Sequence, residues 1–148
     1  TLPVANGERM HTIWEFRELL ESGGSQYIRP DLGLGGGITH VKKIAAIGES
    51  YHAALVTHNF LGPVVTAAAC AVDTSIPNFL TQEYTKADEG PDNAMFNTAW
   101  RREGGYLIVP DEIGIGITVD DVALDSAEYS ARPLNVPIRV DGSVGYSV

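Results

Sequence analysis

Ala54-Leu55-Val56-Thr57-His58-Asn59-Phe60-Leu61-Gly62-Pro63, followed by the apolar run Val64 to Val72, is the stretch on which the reading of this sequence turns. Four residues of strand-forming character end at an ionisable side chain, His58. Pro63 then suits the first turn of a helix, and Val64 to Val72 is apolar nearly all round, as in a helix covered on every side. A short apolar strand, a polar end and a buried helix make one βα unit, with the strand buried on both faces.

The same unit recurs in both directions along the chain. Upstream, Leu2-Pro3-Val4-Ala5 reads as the end of a strand. A helix fits from about Thr12 to Glu21, because Ile13, Phe16 and Leu20 share one face while Glu15, Glu18 and Glu21 share another, and Gly23-Gly24 stop it. Tyr27-Ile28 form a second strand ending at Asp31. Gly33 to Gly37 lead into a helix with Ile38, Val41, Ile44, Ala45, Ile47 and Tyr51 on its apolar face. Downstream, Asn78-Phe79-Leu80-Thr81-Gln82 is a fourth strand, ending at Glu83.

Glu8, Asp31, His58 and Glu83 are therefore spaced by 23, 27 and 25 residues, each at a strand end. Parallel strands joined by crossover helices bring their carboxyl ends to one edge, so the four groups converge on one face. That is the layout of an active-site face in a βα barrel. A full barrel needs eight such units and about 250 residues. The 148 residues here hold four units and begin on a strand end without Met. The expected fold class is α/β: residues 1–84 as the carboxyl-terminal half of a βα barrel, within a longer polypeptide, and 85–148 as a separate segment.

Composition narrows the function. Ten Lys and Arg stand against 19 Asp and Glu, a formal charge of -9, which repels phosphate backbones and argues against nucleic acid. The acids are unevenly placed, net -2 over residues 1–82 and net -7 over 83–148. No apolar run reaches the roughly 18 residues of a membrane span, and no basic-then-apolar leader opens the chain. The lone Cys70 excludes an intrachain disulfide framework and a multi-cysteine zinc site, and fits a reducing, cytoplasmic setting.

Four motifs resemble a known family. Val4-Ala5-Asn6-Gly7-Glu8-Arg9, Arg29-Pro30-Asp31 with Gly35-Gly36-Gly37-Ile38, Thr57-His58-Asn59 with Leu61-Gly62-Pro63, and Asn78-Phe79-Leu80-Thr81-Gln82-Glu83-Tyr84 look like the last four strand ends of the enolase superfamily. The closest branch is the mandelate racemase group with its sugar-acid dehydratases, and the resemblance covers residues 1 to about 120. It implies a modified TIM-type (β/α)7β barrel whose C-terminal segment packs on a capping domain. It makes Glu8 the last of three carboxylate ligands to Mg²⁺ and His58 an acid/base paired with Asp31. Glu83 becomes a hydrogen-bonding partner of the substrate carboxylate, with Asn59 and Tyr84 as substrate contacts. The other metal ligands, the opposite side of the site and the capping domain would all precede residue 1, in a protein that is a homo-oligomer when complete.

Chemistry explains these residue types. Removing a carbon-bound proton beside a carboxylate puts further charge on an oxygen already charged, so a divalent cation and hydrogen-bond donors must stabilise the enediolate. Mg²⁺ prefers oxygen ligands such as Glu8. An unperturbed histidine can take or deliver a proton at neutral pH, and a carboxylate such as Asp31 can fix the tautomer of His58. For Glu83 to donate a hydrogen bond it must hold a proton.

Other residues carry blander readings. His11, His40 and His52 fall on or beside helices, although His11 is close enough to Glu8 to touch a substrate. Arg29, two residues before Asp31, points to the same side and suits an ion pair within the barrel. Gly33 to Gly37 fit a tight strand-to-helix turn as well as a phosphate cradle, and Cys70 is core packing. In the second region Lys86 to Asn93 is a polar loop, and Ala99 to Arg102 and Tyr106 to Val109 flank a hairpin turn. Thr118 can cap a short helix, and Pro133, Pro137 and Gly142 break the tail into extended pieces. The family's Pro-Gly-x-Gly stretch before the short helix is altered here, with Ile113 in the proline's place.

The leading function is Mg²⁺-dependent loss of water from a sugar acid, an aldonate or aldarate, through an enediolate to a 2-keto-3-deoxy acid. The alternatives are a racemase or epimerase of a 2-hydroxy acid on the same scaffold, and a non-catalytic homologue that keeps the fold alone.

Overall fold

The computed structural model describes residues 2–85, 93–129, 131 and 137–145. Its first part alternates strand and helix: β1 (Ala5–Asn6), α1 (Ile13–Glu21), β2 (Tyr27–Ile28), α2 (Gly37–Ser50), β3 (Ala54–Thr57), α3 (Pro63–Asp73) and β4 (Phe79–Gln82). The four strands form one parallel sheet in the order β1-β2-β3-β4. The helices α1, α2 and α3 and the strands β2, β3 and β4 fall where hydrophobic periodicity places them. β1 sits slightly later than Leu2–Ala5, at Ala5–Asn6.

Local chemistry sets the boundaries. Thr12 caps α1 in a full capping box: its hydroxyl accepts from the Glu15 N–H, and the Glu15 carboxylate accepts from the Thr12 N–H at 2.8 Å. Pro63 opens α3, where its missing N–H costs no helical bond. The glycine cluster is a tight turn wound on Asp31, whose carbonyl accepts from the Gly35 N–H at 2.7 Å. A Cβ on Gly35 would lie 2.6 Å from that same carbonyl oxygen, so only glycine fits there.

The core lies between the sheet and its helices. Phe16 and Leu20 of α1 meet Ile28, Ile44, Ala45, Ala53 and Leu55, while Leu32 and Val41 pack with Ala69 and Val72 of α3. Ile28 and Leu55 occupy the helix-facing sides of their strands and are fully buried. By alternation, Tyr27 and Val56 face the other side.

β4 carries a register shift that decides the site. Leu55 pairs with Phe79, but Val56 pairs with Thr81 and Thr57 with Gln82, so Leu80 is an extra residue in β4. In one-to-one register Gln82 would share a face with His58, and Glu83 would point to the helices. The inserted residue reverses that parity and puts Glu83 on the side of His58.

The second part is built from antiparallel pairs. β5 (Phe96–Thr98) pairs with β8 (Ile117–Val119), and both lie against α3. β6 (Arg101–Glu103) pairs with β7 (Tyr106–Ile108) through a two-residue Gly104-Gly105 turn, the expected hairpin with Glu103 inside the strand rather than in the turn. The expected Thr118 cap is corrected: Thr118 is strand, paired with Asn97, because Ile117 to Val119 extend as β8. The short helix α4 (Asp121–Ser126) starts after Asp120, whose carboxylate accepts from the N–H groups of Val122 and Ala123. Ile138 and Val144 bridge around Gly142. The readings of a loop over 86–92 and a break at Pro133 lie outside the described residues. Among the described residues no helix is long and apolar enough to cross a membrane.

Candidate active site

The carboxyl ends of the four parallel strands bring Glu8, Arg29, Asp31, His58 and Glu83 together. Asp31 and His58 form a parallel bridge one step beyond β2 and β3, which sets their side chains level on one face. His58 Nδ1 and Asp31 Oδ2 are 2.8 Å apart, with Asp31 fully buried and His58 8% exposed. The other carboxylate oxygen of Asp31 accepts from the Leu34 N–H at 2.9 Å. Asp31 is thus fixed at both oxygens. With Nδ1–H donating to Asp31, Nε2 is the atom left for chemistry, and it stands 3.9 Å from Glu8 Oε2 and 3.7 Å from Glu83 Oε2. Phe60 packs against the imidazole at 5.1 Å between ring centroids, an apolar wall beside the dyad.

Gly7 fixes how Glu8 leaves β1. Its φ of +123° is a conformation that L side chains rarely adopt, and an added Cβ would lie 2.9 Å from Phe16 Cζ. Glu8 follows directly, its side chain 40% exposed.

Arg29 ties the carboxylates together. Its guanidinium donates through Nη1 to Glu8 Oε2 and through Nη2 to Glu83 Oε2, the latter at 2.8 Å. One cation between two anions offsets a repulsion that would otherwise spread them. The sequence placed Arg29 on the right side for an ion pair, but not with these two partners. Glu83 Oε2 also accepts from the Asn59 main-chain N–H at 3.0 Å. An oxygen that accepts two N–H bonds is arranged as a carboxylate, so the expectation that Glu83 donates a hydrogen bond would have to be met from its other oxygen, with a proton on it.

Two expected substrate contacts are placed differently. The side chain of Asn59 is buried under α3, where Nδ2 donates to Thr66 Oγ1 at 2.8 Å, so Asn59 serves this edge through its backbone. Tyr84 is not brought to the group. It follows Glu83, and alternation turns it to the opposite side, where it lines a cavity of about 550 Å³ with Phe79, Leu80 and the β6–β7 hairpin. Arg102 lies over its ring at 5.9 Å from the centroid. His11 Nδ1 is 3.2 Å from the Leu34 carbonyl, near the turn that follows Asp31. His40 is half-buried on α2, and His52 is exposed with φ 56°.

Sequence reasoning passed over one ionisable residue. Asp73 ends α3 and is 7% exposed, and its carboxylate accepts from the Thr57 hydroxyl. Burial pushes its pKa up to about 7, against the opposing effect of that hydrogen bond. A lone acid closing the apolar run from Val64 was the available signal.

A divalent cation is tested by the donor set. Glu8 supplies an oxygen of the kind Mg²⁺ takes, but among the described residues no three His, Cys, Asp or Glu side chains are grouped to hold a metal ion. The fit is one of ligand type, and further ligands would have to come from elsewhere.

Comparison with known proteins gives a consistent result. The enolase C-terminal domain-like family matches residues 1–123. The D-galactonate dehydratase of Ralstonia pickettii (strain 12J) is 37% identical over 97% of this chain, and that of Variovorax paradoxus (strain S110) is 35% identical over the same share. The chain spans 40% of the length of each of these relatives. A crystal structure of a mandelate racemase/muconate lactonizing enzyme-like protein from Roseovarius sp. TM1035 superposes with a TM-score of 0.81 at 37% identity, over 99% of this chain and 36% of its own. An enolase from Agrobacterium radiobacter, solved with sodium and L-malate bound, gives 0.85 at 28% identity, over 98% and 40%.

Proposed function

From a chain that belongs to the enolase C-terminal domain-like family, we infer a share in the dehydration of a sugar acid, an aldonate or aldarate, to a 2-keto-3-deoxy acid. The observation that carries this reading is the His58–Asp31 pair at 2.8 Å, with His58 Nε2 facing the carboxylates of Glu8 and Glu83 across less than 4 Å. The relatives bearing the name D-galactonate dehydratase support the substrate class. The activity belongs to a longer polypeptide, since relatives of this kind are about two and a half times the length of the matched part. In that protein residues 1–84 contribute the last four strands of a (β/α)7β barrel, and 85–148 pack on a capping domain that precedes residue 1.

Each residue then has a distinct task. Asp31 holds the Nδ1 proton of His58, so that Nε2 can accept or deliver a proton at neutral pH. As the β-hydroxyl departs as water it needs a proton; His58 would give it from the imidazolium form, protonated at both Nδ1 and Nε2, while a base outside these residues takes the α-proton. Glu8 is one oxygen ligand of a Mg²⁺ ion, whose part when bound is to stabilise the negative charge that proton removal puts on the substrate carboxylate. Arg29 holds Glu8 and Glu83 in register with each other, and the Asn59 N–H fixes the oxygen of Glu83 that Arg29 also holds. The second oxygen of Glu83 meets the substrate.

The test is a screen of the complete polypeptide, with Mg²⁺, against a panel of acid sugars, detecting 2-keto products by semicarbazide absorbance. A keto product from an aldonate or aldarate is the expected result. No product from any member, combined with solvent exchange of the α-proton of a 2-hydroxy acid, would instead make the protein a racemase or epimerase.

A further inference from the structure

The short loop between β3 and α3 is held by a buried clip. Asn59 is 2% exposed, and its Nδ2 donates to Thr66 Oγ1 at 2.8 Å. The Thr66 hydroxyl, on a residue 1% exposed, donates onward to the Gly62 carbonyl at 3.1 Å. That second bond is the common back-bond of a helical Thr to the residue four before it. The first is different in kind, because it ties the loop itself to the first turn of α3. Phe60 and Leu61, the neighbours of Asn59 in the loop, are 55% and 48% exposed, so the amide of Asn59 is the loop's inward anchor. Its Oδ1 is shut off from solvent and has no hydrogen-bond partner among the described residues, so the amide is held through Nδ2. Without Thr66 Oγ1 the whole amide would be buried and unpaired, a state costly enough to drive the loop outward until the group is solvated.

A contact of the candidate site would move with the loop. The main-chain N–H of Asn59 donates to Glu83 Oε2 at 3.0 Å. Arg29 donates to the same oxygen, but from a long side chain that it shares with Glu8. A main-chain donor moves only with its loop, so the Asn59 N–H is the stiffer of the two.

We propose that Thr66 is a positioning residue of the site: through the Asn59 amide it fixes the main-chain N–H that orients Glu83. The proposal rests on the reading that Glu83 meets the substrate in a dehydration. Thr66 itself touches no reacting atom and acts through two hydrogen bonds in series.

The test compares the complete polypeptide with its Thr66→Val and Thr66→Ser variants. Valine keeps the shape and removes the hydroxyl, whereas serine keeps the hydroxyl and removes the methyl. With an acid sugar as substrate, Thr66→Val should lower kcat about 10- to 100-fold, since a displacement of about 1 Å near the reacting atoms can cost that much. KM should stay within about twofold, because the lost interaction is one that strengthens as charge develops, and Thr66→Ser should keep kcat within about threefold of wild type. In crystal structures of the two variants, Asn59 N should lie beyond about 3.5 Å from Glu83 Oε2 with valine and within that distance with serine. Equal losses in both variants would mean that the methyl packs and the hydroxyl does nothing, which overturns the proposal. So would an unchanged kcat in Thr66→Val, a loss confined to KM, or an unmoved loop in its crystal structure. If Thr66→Val does not fold, Asn59→Ala decides: it keeps the main-chain N–H but lacks the anchor, so the same fall in kcat supports the proposal and a wild-type rate refutes it. A wild type that gives no keto product from any acid sugar would refute the dehydration reading alone, and the crystallographic distances would still judge the clip.

Discussion

Replacing His58 and Asp31, singly and together, tests the site at its centre. His58→Asn removes the proton carrier, which costs about 10²- to 10⁴-fold in kcat. Asp31→Asn leaves the backbone turn in place, because an amide oxygen can still accept from the Leu34 N–H at 2.9 Å. Its effect falls on the imidazole. The 2.8 Å contact of Asp31 Oδ2 with Nδ1 holds the tautomer that leaves Nε2 unprotonated, and Asp31 is fully buried, so water cannot substitute for it. Loss of a carboxylate in that position costs up to about 10⁴-fold when it lets the wrong tautomer form, as in the serine protease triad. Each single change is therefore expected to raise the barrier by about 3–5 kcal/mol. The double variant should be little worse than His58→Asn alone, since a group that acts through His58 has nothing to act on once His58 is gone. Kinetics on the complete polypeptide with an active sugar acid give the cycle, and nitrogen NMR of His58 reads the tautomer without any substrate. A double-variant loss equal to the product of the two single losses, about 10⁴- to 10⁷-fold, or a wild-type imidazole carrying its proton on Nε2 at pH 8, would refute the reasoning.

Two further outcomes bear on the strand ends. Glu8→Gln in the complete polypeptide should weaken Mg²⁺ binding by calorimetry by at least about tenfold, with an unchanged far-ultraviolet spectrum, because an amide neither balances the ion's charge nor ligates it as well; unchanged affinity removes Glu8 from the ligand set. Gly7→Ala should cost about 2–4 kcal/mol, and so lower the melting temperature by about 5–15 °C, since the new Cβ meets the Phe16 ring on a backbone with φ +123°. A loss below 1 °C would mean that the ring has room to move.

The βα order and the converging strand ends were legible because each depends on a signal spread over many residues. Apolar runs, their flanking glycines and prolines, and strand ends spaced 23, 27 and 25 residues apart place the parallel sheet before any coordinates. Individual orientations were less legible. Tyr84 follows Glu83 on an extended chain, so alternation alone sends it to the other side, and that signal was available in the sequence. Asn59 was not readable in this way, because its side chain is captured by Thr66, a tertiary contact across the loop before α3. Arg29 could be assigned a side but not partners, since its two carboxylates arrive from strands 21 and 54 residues away. The misplaced Thr118 cap is a case of tertiary override: a good capping residue was drawn into a strand by its pairing with Asn97.

Leu80 has a consequence for how this strand tolerates change. Because the bulge shifts the phase of β4, a rule of alternating sensitivity learned on one side of residue 80 inverts on the other. A saturation scan across 77–84 should show a two-residue rhythm that breaks there. Transplanting the Gln82-Glu83 tip onto another parallel strand without residue 80 would deliver the carboxylate to the helix side, among apolar groups. Deleting Leu80 should therefore be more damaging than replacing it with almost any other residue, an asymmetry between length and identity that ordinary strand positions do not have.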